Sequence, residues 1–200
     1  MVIIQINQEI KQKLEEDNFT SVFLDNCYNS KFMSIHEVNS HIVGVAFVGG
    51  IMNHYGIELK NDYYGRGLWK KLFDEITEES KNRNISFLTG VYKTSNLISI
   101  KIQTKLGFKP IFSLHYNKHE GREIVIILPF NDKGKFVESF MRIFNTKIGN
   151  IFFSLFFVIC RPFLKNIIAF SGNSMPKIDL KYSLYNFEKV KSVMKKINFD

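Results

Sequence analysis

Apolar side chains change their spacing several times along the chain, and each change marks an element. Val2 to Ile6 alternates like a short strand. Gln8 to Glu16 reads as a helix, with Ile10 and Leu14 four residues apart. Phe19 to Leu24 fits either state, and Asp25 to Ser30 has the composition of a loop. Two apolar runs, Phe32 to Val38 and Ile42 to Val48, flank Asn39-Ser40, the pattern of a hairpin. Gly49-Gly50 breaks the second run. Ile51 to Leu59 reads as a third strand, with Gly56 weakening its interior or marking a bulge.

The period then lengthens. Leu68, Leu72 and Ile76 form one helical face, with Trp69 and Phe73 beside it, and Lys81 to Asn84 ends that helix. Ile85 to Tyr92 is strand-like. Asn96 to Leu106 is helical, with Ile98, Ile102 and Leu106 four apart and Gly107 as its terminating glycine. Lys109 to Tyr116 and Glu123 to Leu128 are strand candidates around a turn at His119-Glu120-Gly121. Beyond Pro129 come a helix over Gly134 to Phe144, an apolar run from Ile148 to Phe170, a loop over Ser171 to Pro176 and a basic helix over Tyr185 to Ile197. The order predicts a mixed α/β sheet rather than a doubly wound one. Residues 1–130 form one expected domain, and 131–200 a helical extension packed on it.

Composition narrows the picture. Hydrophobic residues make up 45% and charged residues 23% of the 200, which excludes a disordered or collagen-like chain. Two cysteines, Cys27 and Cys160, exclude a disulfide scaffold and a cysteine-built zinc site, so no metal is expected. They read as buried or free thiols in a reducing compartment. The net charge of +8 favours phosphate-bearing partners or an anionic surface. The lysines are scattered, and no helix-turn-helix or basic stripe with interleaved aromatics occurs, so no nucleic-acid partner is expected. No signal peptide is expected at Met1 to Asn7, and the expected location is cytoplasmic.

The chemistry concentrates where a strand enters Tyr63-Tyr64-Gly65-Arg66-Gly67-Leu68 and then a helix. Gly65 and Gly67 let the backbone turn tightly, and the helix that follows opens with unpaired N–H groups and a positive dipole end. Arg66 and Lys70-Lys71 add positive charge. The unit suits a phosphate, although it is neither a G-x-x-x-x-G-K-[ST] loop nor G-x-G-x-x-G. Asn96, Ser99 and Lys105-Leu106-Gly107-Phe108 follow about 30 residues on.

With both blocks in that order, the sequence resembles the GCN5-related N-acetyltransferases over roughly residues 30 to 130. The first block corresponds to that family's R/Q-x-x-G-x-G/A turn, and the second to its Asn-led helix ending in Leu-Gly-Phe. The resemblance implies a mostly antiparallel sheet flanked by helices and direct acetyl transfer from acetyl-CoA to an amine. Leu59 would offer its backbone N–H to the thioester oxygen. The N–H groups of Arg66, Gly67, Leu68, Trp69 and Lys70 would hold the pyrophosphate, and Asn96 the cofactor arm. Tyr64 and Trp69 depart from the family pattern, and the Trp69 indole would either crowd the pyrophosphate or face the core. Gln103 replaces the Tyr that commonly acts as the acid; Tyr116 could replace it. Among Asn53, His54, Tyr55 and Glu58, on the strand before the turn, His54 and Glu58 are the candidate bases.

The extension leaves two readings. Its longest uncharged stretch, from Ile148 to Cys160, is about 13 residues, short of the ~20 needed to span a bilayer. Residues 148–170 therefore either bury against the sheet or lie on a membrane or partner subunit. The segment before the hairpin is short, so the extension is expected to supply bulk on the acceptor side. The sequence thus predicts an N-acetyltransferase acting on a small-molecule amine such as an amino sugar. A catalytically inactive CoA-binding relative, and a membrane-peripheral enzyme at the inner face acting on a lipid-linked sugar, are the alternatives. Homodimerisation stays open.

Overall fold

A computed structural model describes residues 2–4, 6–28, 30–50, 52–93, 96–115, 122–143, 146, 148–149, 151–152, 155–156 and 159. The chain divides into two compact units between Gly90 and Val91. In the first, strands β1 (Val2–Ile4), β2 (Ser30–Val38), β3 (His41–Gly49), β4 (His54–Leu59) and the start of β5 (Phe87–Lys93) follow in the order β1-β2-β3-β4-β5. The pairs from β1 to β4 are antiparallel, and β4 meets β5 in parallel with His54 opposite Thr89. Helices α1 (Gln8–Glu16) and α2 (Ser21–Tyr28) pack on one face, and α3 (Leu68–Asn82) on the other.

Local chemistry sets most boundaries. Asn7 caps α1, its Oδ1 accepting from the Ile10 N–H at 2.8 Å, and the expected Ile10 and Leu14 face is buried. Asn39 (φ 50°) and Ser40 (φ 66°) are both left-handed, the geometry of a tight hairpin turn, so the expected hairpin forms. Strand β4 begins three residues later than expected, because Gly50 and Asn53 make a turn closed by the Asn53 N–H on the Gly50 carbonyl. Gly56 is not at a bulge: the β3–β4 register runs evenly through Phe47↔Gly56. A Cβ there would lie 2.5 Å from the Phe47 ring, so glycine makes room for an aromatic.

One further expectation changes. Asp25 to Ser30 is not a loop; helix α2 continues to Tyr28. Burial of Cys27 and the edge-on contact of Phe23 with Phe47, centroids 5.2 Å apart, override the polar composition. One face of the sheet is covered by α1 and α2. There Ile10, Leu14, Phe19 and Cys27 form one core with Met33, Ile35, Val45 and Phe47.

The second unit holds the end of β5, α4 (Leu97–Lys105), β6 (Lys109–His115), β7 (Arg122–Pro129) and α5 (Asp132–Ile143). Its strands run β5-β7-β6, with β6 and β7 antiparallel. Helix α4 starts and stops as the sequence indicates. Asn96 caps it through Ser99, and the Gly107 and Phe108 N–H groups return to the Thr104 and Gln103 carbonyls, with Gly107 at φ 87°. Its inner face differs from the expected one. Ile100 and Gln103 are buried, whereas Ile98 is 75% exposed. Apolar residues at 97, 98, 100 and 102 surround this short helix, so a spacing of four does not select a face. Helix α5 packs on β6 and β7, and its buried Glu138 carboxylate accepts from Lys109 at 3.1 Å and Arg142 at 2.8 Å. The expected turn at 119–121, the loop at 171–176 and the terminal helix lie outside the described residues.

Candidate active site

Strand β4 leads the chain into the glycine turn. The Lys60 N–H donates to the Val43 carbonyl at 2.9 Å, which fixes the alternation along β4. The N–H groups of Gly56 and Glu58 therefore face β3, and those of Ile57 and Leu59 face the β5 edge. The Leu59 N–H, which the resemblance assigns to the thioester oxygen, therefore points away from β3. Its side chain packs on the α3 side, next to Leu68 and Leu72.

A single turn of 3-10 helix, Asn61–Tyr63, follows, and Tyr64 is extended. Gly65 (φ 76°) and Gly67 (φ 74°) take left-handed conformations that β-carbon-bearing residues disfavour, with Arg66 between them. A Cβ on either glycine would meet nothing within 4 Å. The turn is open space rather than packed core.

Gly67 is the N-cap of α3, and the Lys71 N–H is the first to reach back, to the Gly67 carbonyl at 3.2 Å. The N–H groups of Leu68, Trp69 and Lys70 precede that ladder. No acidic side chain sits in the first turn to answer the dipole. The Arg66 guanidinium lies over the Tyr63 ring, 5.0 Å from its centroid, and Lys70 pairs with Asp74 one turn on. The Trp69 indole stacks on Phe73, centroids 5.4 Å apart and planes 8° apart. The indole thus lies along the helix over Phe73.

The two candidate bases differ in setting. Glu58 points to the α2 face, where both carboxylate oxygens accept from Thr20: the backbone N–H at 3.1 Å and Oγ1 at 2.7 Å. Thr20 immediately precedes α2, so Glu58 ties that helix to β4 beside Leu59. His54 stands at the other end of β4, about 16 Å from Leu59 at ~3.3 Å per residue. Its ring packs near Phe47, and burial pushes its pKa down to about 4. Burial, and secondarily the Glu58 charge, push the Cys27 thiol well above its ordinary range, which makes it an inert core group.

In the second unit, the Oδ1 of exposed Asn96 is taken by the cap to Ser99, at 3.1 Å. Gln103, standing where the resemblance expects a tyrosine, is buried, and its Oε1 has no hydrogen-bond partner among the described residues. Tyr116 lies outside the described residues. Thr20 was missed by sequence reasoning. The signal was present as a threonine at the N-cap of a helix, but Phe19 to Leu24 had not been assigned to one.

No family model and no curated protein matches the sequence. Solved structures do. The ribosomal-protein-S18-alanine N-acetyltransferase of Escherichia coli superposes with TM-score 0.52 at 17% identity, over 64% of this chain and 92% of that one. An acetyltransferase of the GNAT family from Streptococcus pneumoniae gives 0.53 at 15%, over 65% and 99%. The chain has the GCN5-related N-acetyltransferase fold. Arabidopsis thaliana Naa50, solved with the bisubstrate analogue CoA-Ac-MVNAL, gives 0.52 at 14% identity, over 64% of this chain and 98% of that one. The glycine turn and α3 are the segment that the sequence resemblance assigns to the cofactor's phosphates.

Proposed function

We propose that this GNAT-fold chain is an acetyl-CoA-dependent N-acetyltransferase whose acceptor is the amine of a small molecule, an amino sugar being one candidate. One observation carries the reading: a glycine turn that leaves open space at both Cβ positions leads directly into a helix N-terminus with no acid in its first turn. The residues fit a pyrophosphate. The N–H groups of Gly67, Leu68, Trp69 and Lys70 offer donors, the Arg66 and Lys70 side chains offer charge, and the indole is held aside on Phe73. Acetyl-CoA, when bound, supplies the activated acetyl group.

The chain's own groups supply the rest. The Leu59 N–H, on the β5 edge, stabilises charge on the acyl oxygen. Glu58, one residue away, takes the proton of the incoming ammonium. His54 serves that role less well, because burial keeps it a weak base and the strand holds it far from Leu59. The reported neighbours whose names give an acceptor point to proteins: the Escherichia coli enzyme is named for a ribosomal protein's alanine, and Naa50 was solved with the analogue CoA-Ac-MVNAL. The acceptor class is therefore the finer part of the proposal.

The test is thiol release from acetyl-CoA across a panel of amino sugars, polyamines, amino acids and short peptides. Turnover with small amines, lowered about 100-fold by Glu58→Gln at neutral pH and less at high pH, supports the reading. Turnover with peptides alone overturns the acceptor assignment. A second reading, binding of CoA without turnover, is favoured by Gln103, which cannot act as a proton-donating acid, and by the full engagement of Glu58 with Thr20. Saturable CoA binding with no turnover on any acceptor would establish it.

A further inference from the structure

We propose that residues 136–159 form a docking surface for an anionic lipid bilayer, lying on it without crossing it. The proposal stands independently of the catalytic reading. The first observation is an apolar stripe. Residues 148–149, 151–152, 155–156 and 159 are helical, and Ile148, Ile151, Phe152, Leu155, Phe156 and Ile159 are all more than half exposed. Their spacing of three and four puts them on one side of a helix. Residues 148 to 160 contain no charge at all.

The preceding helix repeats the pattern. On α5, Gly134, Glu138 and Met141 face inward, while Phe136, Phe140 and Ile143 are 73%, 51% and 53% exposed. The junction between the stripes is built rather than loose. The Thr146 Oγ1 donates to the Ile143 carbonyl at 2.7 Å and accepts from the Gly149 N–H at 3.1 Å. A Cβ on Gly149 would lie 2.0 Å from the Ile143 carbonyl oxygen, so the two segments meet at a close backbone approach. Exposed apolar side chains of this number exceed what an isolated surface usually carries.

Charge selects the occupant. From 131 to 165 the sequence places Lys133, Lys135, Arg142, Lys147, Arg161 and Lys165 against Asp132 and Glu138. Glu138 is buried on Lys109 and Arg142, and Asp132 pairs with Lys135, so the charges left over in the segment, Lys133, Lys147, Arg161 and Lys165, are all basic. The sequence on either side of the apolar run is therefore basic, and the chain's charge of +8 disfavours a second copy as the occupant. An anionic headgroup layer answers both features, the apolar face entering the acyl boundary and the lysines and arginines meeting phosphates. Among the described residues no helix is long and apolar enough to cross a membrane, so the contact is interfacial.

The test is co-sedimentation of the full chain with phosphatidylcholine vesicles, with or without about 30% phosphatidylglycerol. Binding to the anionic vesicles alone is expected, weakened by salt and lowered about tenfold or more in Phe152→Ser/Phe156→Ser. Both residues are exposed, so the variant should keep the wild-type melting temperature. A Phe152→Trp variant gives a second readout: its emission should shift to the blue with anionic vesicles and not with neutral ones. Absence of binding, equal binding by the serine variant, or an unshifted tryptophan overturns the proposal. So does a dimer in light scattering that the serine variant dissolves, since a second copy would then be the occupant.

Discussion

Two pairs of glycines in the same unit do opposite work. Gly44 and Gly56 lie in paired strands, where a Cβ would meet the Leu59 side chain at 2.6 Å and the Phe47 ring at 2.5 Å. Gly65 and Gly67 lie in the turn before α3, where a Cβ would meet nothing. The first pair is glycine because the core is full. The second is glycine because the backbone is left-handed and the space beside it is open. In the strands, absence of a side chain is a packing solution; in the turn it leaves the helix N-terminus accessible to an anion.

The strand glycines should give the largest losses of stability. Gly56→Ala forces a rigid ring to move and should cost about 2 kcal/mol, lowering the melting temperature by roughly 4–8 °C. Gly44→Ala meets only the tips of leucines and should cost about 1 kcal/mol. Calorimetric melting of both variants measures the difference, and equal losses would break the distinction between ring and tip.

Acid should weaken the packed side of β4 through His54. Burial holds its pKa near 4, below the ordinary 6.5, so the unfolded chain binds its proton first. Stability is then full above about pH 6.5 and falls as pH drops toward 4, by about 2 kcal/mol. The melting temperature of His54→Gln should decline less than that of the wild type across this window. Parallel declines would remove His54 as the cause.

In the second unit, Glu138→Gln should cost about 1 kcal/mol by thermal melting. The half-exposed Lys109 and Arg142 can return to water, so only the lost bonds count. The turn glycines should give the smallest stability effects. Asparagine tolerates left-handed backbone, so Gly65→Asn and Gly67→Asn should each cost less than about 1 kcal/mol while filling the open space.

The legible parts of this fold were those fixed by local chemistry. Asn39-Ser40 announced the hairpin, the Ile10–Leu14 spacing announced α1, and Gly107 announced the end of α4. Each rests on interactions within a few residues in sequence. What was hidden depended on distant neighbours. Helix α2 forms because Phe23 and Cys27 find the sheet, not because Asp25-Asn26 favour helix. The inner face of α4 could not be chosen while apolar residues ringed it. At the site, the glycine turn and Glu58 could be named from sequence. The Thr20 bonds to Glu58, 38 residues apart, and the stacking of Trp69 on Phe73 required the packed structure.

The claim at the centre of this account is that the open glycine turn receives the phosphates of CoA. Titration calorimetry of CoA into the wild-type chain and into Gly67→Asn tests it most directly, with melting temperature checking that the variant is folded. The account predicts saturable binding by the wild type and a loss of at least about tenfold, or about 1.4 kcal/mol, in the folded variant. No binding by the wild type, or equal affinity in the two proteins, would contradict it.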